Sequence, residues 1–181
     1  IDETLQILAP SASENQLYLI ANNEPDVPLY LQGDSLRIKQ VLTNLVSNAI
    51  KFSDNGNVVV QTELVSKQAN IAHLKISVLD CGIGIDPKHR ETLFEAFKQA
   101  DASDSRQRGG TGLGLAIAKG LVEKMGGSIG IEGHAEDGTA AWFSLPLPIQ
   151  KTILEEPGKT LNTKQAVVSI SSALLRKQLD E

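Results

Sequence analysis

Three short polar segments constrain what this 181-residue chain can fold into more than any other feature. They run from Asn44 to Phe52, from Asp80 to Gly84 and from Gly109 to Leu115. The first offers amide oxygens and an ammonium group, the second a carboxylate beside a glycine turn, and the third a glycine loop that leads into a helix. Each segment alone is weak evidence, but the ordered set predicts an ATP site.

The first segment lies in a predicted helix that begins after Asp34, a residue type suited to N-capping, and persists to about Phe52. Asn44, Asn48 and Lys51 are spaced i, i+4 and i+7, so they share one helix face, whereas Leu42, Leu45, Ala49 and Ile50 point toward the core. An amide oxygen is a hard ligand that suits Mg²⁺, and an ammonium group suits phosphate. The alternative is a solvated helix face.

The second segment follows a strand predicted over 71–79, in which Leu74, Ile76 and Val78 share one face. Period two places Asp80 on the same inward face. A carboxylate in that position needs a hydrogen-bond donor, and the exocyclic amine of adenine is one. Gly82 and Gly84 would let the backbone approach a flat base. The alternative is an aspartate that only caps a turn.

The third segment combines glycines with a helix start, where backbone N–H groups and the helix dipole favour phosphate. The spacing differs from a P-loop, and no parallel strand immediately precedes the loop, so the P-loop and Rossmann interpretations both fail. Arg106, in a predicted mobile loop over 98–110, is either a lid residue that folds over phosphates or a solvated charge. The candidate ligand-binding residues here are Arg106, Gly110, Thr111, Gly112, Leu113 and Gly114.

The remaining pattern predicts an α+β domain over 1–147. Helices are expected over 2–15, with Pro10 either ending or bending the helix, over 87–97, and over 112–125 with Leu113, Ile117, Leu121 and Val122 on one stripe. Strands are expected over 17–20, closed by turn residues 22–25, and over 29–31, 58–64, 71–79, 128–132 and 139–147. Residues 148–163 are predicted to be a linker, and 164–181 the start of a further domain, with a strand over 166–170.

Composition excludes several classes of protein. The formal net charge of −5 and the lack of a basic stripe argue against nucleic-acid binding. The apolar runs are too short to span a bilayer, so no direct membrane contact is expected. One cysteine, Cys81, rules out an internal disulfide, fits a cytoplasmic location, and is expected to be a small buried side chain. The chain opens without Met, which suggests a fragment of a larger protein.

Together the three segments resemble the catalytic ATP-binding domain of sensor histidine kinases, within the superfamily of gyrase, Hsp90 and MutL ATPases. The resemblance covers about residues 1–147 and implies a Bergerat-type two-layer α/β sandwich, with a mixed, mostly antiparallel sheet and helices on one face. It implies Asn48 as the Mg²⁺ ligand, Asn44 and Lys51 as contacts to phosphate or metal, and Asp80 as the adenine contact. ATP and Mg²⁺ are the implied cofactors, and Asn48 and Lys51 the implied catalytic residues.

The run from Phe97 to Asp101, which precedes Ser105 and Arg106, is similar to hybrid kinases in particular. This similarity implies two partners: upstream dimerisation helices that carry the phosphoacceptor histidine, and a downstream receiver domain or response regulator. Residues 164–181 would begin a degenerate receiver, because Ser169 to Ser172 stand where a working receiver has acidic residues. The implied location is the cytoplasmic part of a bacterial sensor kinase anchored in the inner membrane.

No histidine here has the context of a phosphoacceptor: His73 is expected on an outward strand face, His89 in a short surface helix and His134 in a turn. Asn44 stands where the gyrase and Hsp90 ATPases have a glutamate general base, which disfavours rapid hydrolysis. Phe94 and Phe97 are candidate docking or lid-anchoring aromatics, with core packing as the alternative for Phe94. A nucleotide-binding regulatory module without phosphotransfer remains the alternative function.

Overall fold

The structure is a computed structural model that describes residues 1–90, 92–98, 111–134, 138–150 and 167–169. Within these residues the helices are α1 (Asp2–Glu14), α2 (Ser35–Phe52) and α3 (Gly114–Lys124). The strands are β1 (Leu17–Asn23), β2 (Tyr30–Gln32), β3 (Gly56–Gln68), β4 (Ile71–Asp80), β5 (Ser128–His134), β6 (Gly138–Pro148) and β7 (Val167–Ser169). Two short 3-10 turns, Pro87–His89 and Thr92–Phe94, lie between β4 and α3.

Five strands form one sheet in the order β1-β3-β4-β6-β5. β1 pairs with β3 in parallel, and the other neighbours are antiparallel. The core lies between this sheet and the helices: α2 buries Val41, Leu45 and Val46 on one side, while the opposite sheet face leaves Tyr18 74% exposed. The predicted α+β sandwich with a mixed, mostly antiparallel sheet is confirmed.

The sequence correctly predicts where α2 begins and which of its residues are buried. The Asp34 carboxylate accepts a hydrogen bond from the Arg37 backbone N–H at 3.0 Å, which makes Asp34 the predicted N-cap. Leu42, Leu45, Ala49 and Ile50 are all buried, as their spacing predicts. α1 continues through Pro10 to Glu14, so the proline does not end that helix. In the part of the chain that the structure describes, no helix is both long and apolar enough to cross a membrane.

Several predicted boundaries were wrong. Asn22 and Asn23 are not turn residues, because β1 extends to Asn23 alongside β3. The helix predicted over 87–97 is replaced by the two 3-10 turns. His134 is not in a turn but ends β5, where it pairs with Gly138. Residues 135–137, between β5 and β6, lie outside the described residues.

The helix predicted from 112 begins two residues later, at Gly114, because Gly112 has a φ of +67°, which is incompatible with a right-handed helix. Its apolar stripe was also partly wrong. Ile117 is 48% exposed, and the buried residues are Ala118 and Val122.

The chain downstream of β6 returns to β2. Ile149 bridges Leu31, and β7 pairs antiparallel with β2, with Val168 opposite Leu31. The strand predicted over 166–170 is present over Val167–Ser169. The linker over 148–163 and the receiver over 164–181 remain predictions, and most of both ranges lies outside the described residues.

Candidate functional site

The polar face of α2 is the first component of the site. Asn44 and Asn48 are half-buried, and the Asn48 side-chain amide donates a hydrogen bond to Asn44 Oδ1 at 3.2 Å. That bond orients both side chains and, within the described residues, leaves Asn48 Oδ1 able to ligate a cation. Lys51 lies one turn further on, with Nζ 4.8 Å from the centre of the Phe52 ring. Partial burial lowers the pKa of Lys51 below its ordinary value.

Asp80 ends β4, half-buried, in line with Leu74, Ile76 and Val78 as its parity predicts. Its Oδ1 accepts hydrogen bonds from the backbone N–H groups of Gly82, at 2.9 Å, and Thr139, at 3.2 Å. Burial raises the pKa of Asp80, and these two hydrogen bonds to the ionised form partly oppose that shift. Among the described residues both donors bond Oδ1, so Oδ2 is available to a ligand donor.

Gly82 joins the end of β4 to the end of α2. A Cβ at this position would overlap the Phe52 carbonyl oxygen and lie 2.9 Å from Asp80 Oδ1. Only glycine therefore permits this approach without a backbone shift. The contact fixes Asp80 beside the C-terminal end of α2.

Gly114 joins the start of α3 to the middle of α2. A Cβ there would overlap the Asn44 side-chain amide. The preceding turn is closed by Thr111, whose hydroxyl accepts from the Leu113 backbone N–H at 3.4 Å. The Gly112 carbonyl oxygen accepts from the backbone N–H of Phe97 at 3.1 Å, which ties Phe97 to the same turn. The N-terminal end of α3 thus lies against the asparagine face.

The three predicted segments therefore meet along one helix. Gly114 contacts α2 at Asn44, and Gly82 contacts it at Phe52, eight residues later. At 1.5 Å per residue these contacts are about 12 Å apart along the helix axis. The site has a carboxylate end, defined by Asp80, Gly82 and Phe52, and an amide end, defined by Asn44, Asn48 and Gly114. Arg106 and Gly110 lie outside the described residues.

Sequence reasoning missed Phe52, Gly138 and Thr139 as parts of the site. Phe52 supplies the carbonyl against which Gly82 packs. Gly138 packs on the Asp80 backbone, and Thr139 is the residue opposite Asp80 in the β4–β6 pairing. Phe52 is the last residue of the first polar segment, next to Lys51, and its place in that segment was the signal that could have identified it. The positions of Gly138 and Thr139 depend on the strand register. Alternation of apolar residues does not determine it, because a shift by two residues keeps the same side chains facing inward.

The prediction that Cys81 is buried was wrong. Cys81 is exposed, and its thiol donates to the Asn55 carbonyl oxygen at 2.8 Å. The strand parity that turns Asp80 inward turns the next residue out. Phe97 is also exposed, at 76%, whereas Phe94 is half-buried, with Lys119 Nζ 5.9 Å from its ring centre.

No group of three or more His, Cys, Asp or Glu side chains among the described residues can hold a metal ion. A divalent cation beside Asn48 would therefore take most of its ligands from phosphate oxygens and water, which is the usual arrangement for Mg²⁺. The Asn48 amide oxygen fits that role, because it is neutral, hard and oriented by its bond to Asn44.

Comparisons with known proteins agree with this geometry. Residues 33–149 match the family described as histidine kinase-, DNA gyrase B- and HSP90-like ATPase, and the chain belongs to that family. It is 46% identical over 180 residues to the sensor histidine kinase GacS of Pseudomonas protegens, a match that covers 99% of this chain and 20% of GacS. The chain thus spans about a fifth of the length of that curated relative.

Two of the solved structures that share the fold cover most of this chain. One is full-length ShkA in complex with AMPPNP, at a TM-score of 0.69 and 30% identity, covering 82% of this chain and 29% of ShkA. The other is the mycobacterial sensor histidine kinase MprB, at a TM-score of 0.68 and 28% identity, covering 82% of this chain and 94% of that one. The resemblance to the ATP-binding domain of histidine kinases is confirmed.

Proposed function

We propose that this chain binds ATP with Mg²⁺ and donates the γ-phosphoryl group to a histidine on the dimerisation helices of a hybrid sensor kinase. The observation that carries the proposal is the meeting of three motif segments on α2, with Gly82 against Phe52 and Gly114 against Asn44. The bond between the γ-phosphorus and the β–γ bridging oxygen of ATP breaks, ADP leaves with that oxygen, and the phosphorus bonds to an imidazole nitrogen of the acceptor. Positioning and charge neutralisation are the domain's contribution to such a transfer.

The carboxylate end suits adenine. Asp80 Oδ2 would accept a hydrogen bond from the exocyclic amine, while Oδ1 is occupied by two backbone donors. Gly82 and Gly84 border this end, and Gly84 has a φ of 70°, which glycine adopts without strain. The base would therefore lie at the C-terminal end of α2.

The amide end suits the phosphates. Asn48 would ligate Mg²⁺, and Asn44 and Lys51 would contact phosphate oxygens or the metal hydration shell. Backbone N–H groups of Gly110, Thr111, Gly112 and Gly114 would face the phosphates at the start of α3, where the helix dipole favours negative charge. The Leu113 N–H would join them by exchanging its bond to the Thr111 hydroxyl for a phosphate oxygen. Arg106 would close over them as a lid residue.

Asn44 supports transfer over hydrolysis, because an amide cannot remove a proton from an attacking water. The histidines whose side chains the structure describes do not compete as acceptors: His73 and His89 are half-buried, on a strand and in a 3-10 turn, and neither is on a long helix. The partners in this proposal are the upstream dimerisation helices and a downstream receiver domain or response regulator. The domain would act in the cytoplasm, within a bacterial kinase anchored in the inner membrane.

The decisive experiment mixes the chain with the histidine-bearing helical hairpin of the full-length protein, Mg²⁺ and γ-labelled ATP. We expect acid-labile label on the hairpin, lost with Asn48→Ala and with EDTA, and slow hydrolysis when the hairpin is omitted. ATP binding without label on the hairpin would instead favour a regulatory nucleotide-binding module. Rapid hydrolysis by the isolated chain would contradict the role given to Asn44.

A further inference from the structure

The segment between β4 and α3 has little regular structure among its described residues. Within its described residues, 81–90 and 92–98, the only regular structure is the pair of 3-10 turns, so side-chain contacts must position it. The segment starts next to Asp80. Near the end of its described residues, the Phe97 backbone N–H donates a hydrogen bond to the Gly112 carbonyl oxygen. The segment therefore links the two ends of the site.

Arg90 anchors the middle of this segment to the sheet. Its Nη2 donates a hydrogen bond to the Gly133 carbonyl oxygen near the end of β5, 43 residues away in sequence. Its Nε is buried without a hydrogen-bond partner among the described residues. Burying part of a guanidinium group is costly unless the group is hydrogen-bonded. The bond to the Gly133 carbonyl therefore fixes the position of the Arg90 side chain, unlike an arginine that extends into solvent.

The same hairpin end also contacts the site. A Cβ at Gly133 would lie 3.5 Å from the Ile85 backbone nitrogen, in ordinary contact. Thr139, across the β5–β6 hairpin, donates to Asp80, and Gly138 packs on the Asp80 backbone. One end of one hairpin therefore supports both the Asp80 carboxylate and the backbone just after Gly84.

We propose that Arg90 is a positioning residue that fixes residues 84–86 against the β5–β6 hairpin and so shapes the adenine end of the site. The inference rests on the proposed function, because it assumes that adenine binds beside Asp80. Arg90 itself touches no nucleotide in this proposal. It acts by holding Ile85 and the adjoining Gly84 turn at a fixed distance from Asp80.

The test compares Arg90→Met and Arg90→Lys with the control Lys88→Met, which removes an exposed cation two residues away. Dissociation constants for AMP and ADP are measured without Mg²⁺, at a temperature where circular dichroism shows every variant fully folded. Arg90→Met should weaken both ligands equally, by about tenfold, since a hydrogen bond from a charged donor is lost. Arg90→Lys should weaken both by about threefold, because lysine offers a point charge in place of the planar fork. Lys88→Met should leave both unchanged.

A purely structural Arg90 would lower the melting temperature but leave the affinities of the folded protein unchanged, and that result would overturn the inference. Loss of ADP affinity with AMP unaffected would overturn it too, because it would assign Arg90 to the phosphates. If Arg90→Met does not fold, Arg90→Lys decides by the same criterion. Failure of the unmodified chain to bind either nucleotide would contradict the proposed function, a result distinct from wild-type binding that is insensitive to Arg90.

Discussion

The two ends of the site differ in what holds their key groups. At the carboxylate end, Asp80 is fixed by two backbone N–H groups and by the close approach of Gly82 to Phe52. At the amide end, Asn44 and Asn48 are oriented by each other and by contact with Gly114. Backbone donors move only if a strand or turn moves, whereas side-chain amides rotate at small cost.

Because of this difference, we expect the two ends to respond differently when a nucleotide binds. The carboxylate end is preformed and should recognise adenine with little rearrangement. The amide end should adjust, because in the proposed function Asn48 would offer its oxygen to a cation while keeping or releasing its bond to Asn44. Changes at the first end should therefore affect every adenine nucleotide equally, and changes at the second should depend on phosphates and Mg²⁺.

The largest effect is expected for Gly82→Ala. The new methyl group would overlap the Phe52 carbonyl oxygen and crowd Asp80, so the β4 end must shift away from α2. We expect AMP, ADP and ATP affinities each to fall by about a hundredfold or more, since the loss of a charged acceptor and of its supporting contacts combine. Isothermal titration calorimetry measures all three.

Gly120→Ala is the matched control. A Cβ there meets no atom within 4 Å, and the position lies inside α3. The substitution should leave binding unchanged and raise the free energy of unfolding by about 0.5–1 kcal/mol, because alanine favours the helix over glycine. Equal nucleotide affinities for Gly82→Ala and Gly120→Ala would show that the close approach of Gly82 to Phe52 is not needed for binding.

The next effect, Asn48→Ala, should separate the two ends. Removing the amide oxygen should weaken ATP in the presence of Mg²⁺ by about tenfold or more, comparable to losing a charge-assisted bond, while AMP affinity stays within about twofold. Ser47→Ala is the control, because the Ser47 hydroxyl donates to the Asn44 backbone carbonyl at 3.0 Å and, among the described residues, to no side chain of the site. An equal loss for AMP and for Mg²⁺-bound ATP would show that the two ends are not separable.

The sequence predicted the parts of this site that depend on a single helix or strand, and it did not predict the parts that depend on contacts between elements. The spacing of Asn44 and Asn48, and the parity of Asp80, depend on helix and strand periods within one element, and both predictions hold. The same parity, applied to Cys81, turns its side chain outward, and the burial expected from its residue type was therefore wrong. Thr139, Gly114 and Arg90 act across elements, through strand register and tertiary contact, which no local period encodes.

Acidification should have a smaller effect, centred on Asp80. Burial raises its folded-state pKa, so its protonated form favours folding. That contribution is fully present below the ordinary aspartate pKa of about 4 and is lost as the pH rises through the raised pKa. The free energy of unfolding of Asp80→Asn, relative to wild type, should therefore increase with pH over this window and stay constant above it.

In the proposed function the ionised Asp80 carboxylate accepts from adenine, so wild-type ADP affinity should fall severalfold on acidification at a pH above that expected for an exposed aspartate. Urea titrations and ADP binding from pH 4 to pH 7 measure both quantities. A relative stability that decreases with pH would mean that the hydrogen bonds from Gly82 and Thr139 outweigh burial.

The smallest effect concerns Cys81, the exposed residue next to Asp80 and the single cysteine of the chain. Its thiol is accessible but bonded to the Asn55 carbonyl, so iodoacetamide should alkylate it slowly in the folded protein. Saturating ADP should slow that reaction by about threefold if adenine lies at the carboxylate end, because the base would shield the thiol. In Asp80→Asn the protection should be lost at the same ADP concentration. Mass spectrometry follows the single adduct over time, and an alkylation rate unaffected by ADP would place the base away from Cys81, at odds with the assignment of the two ends.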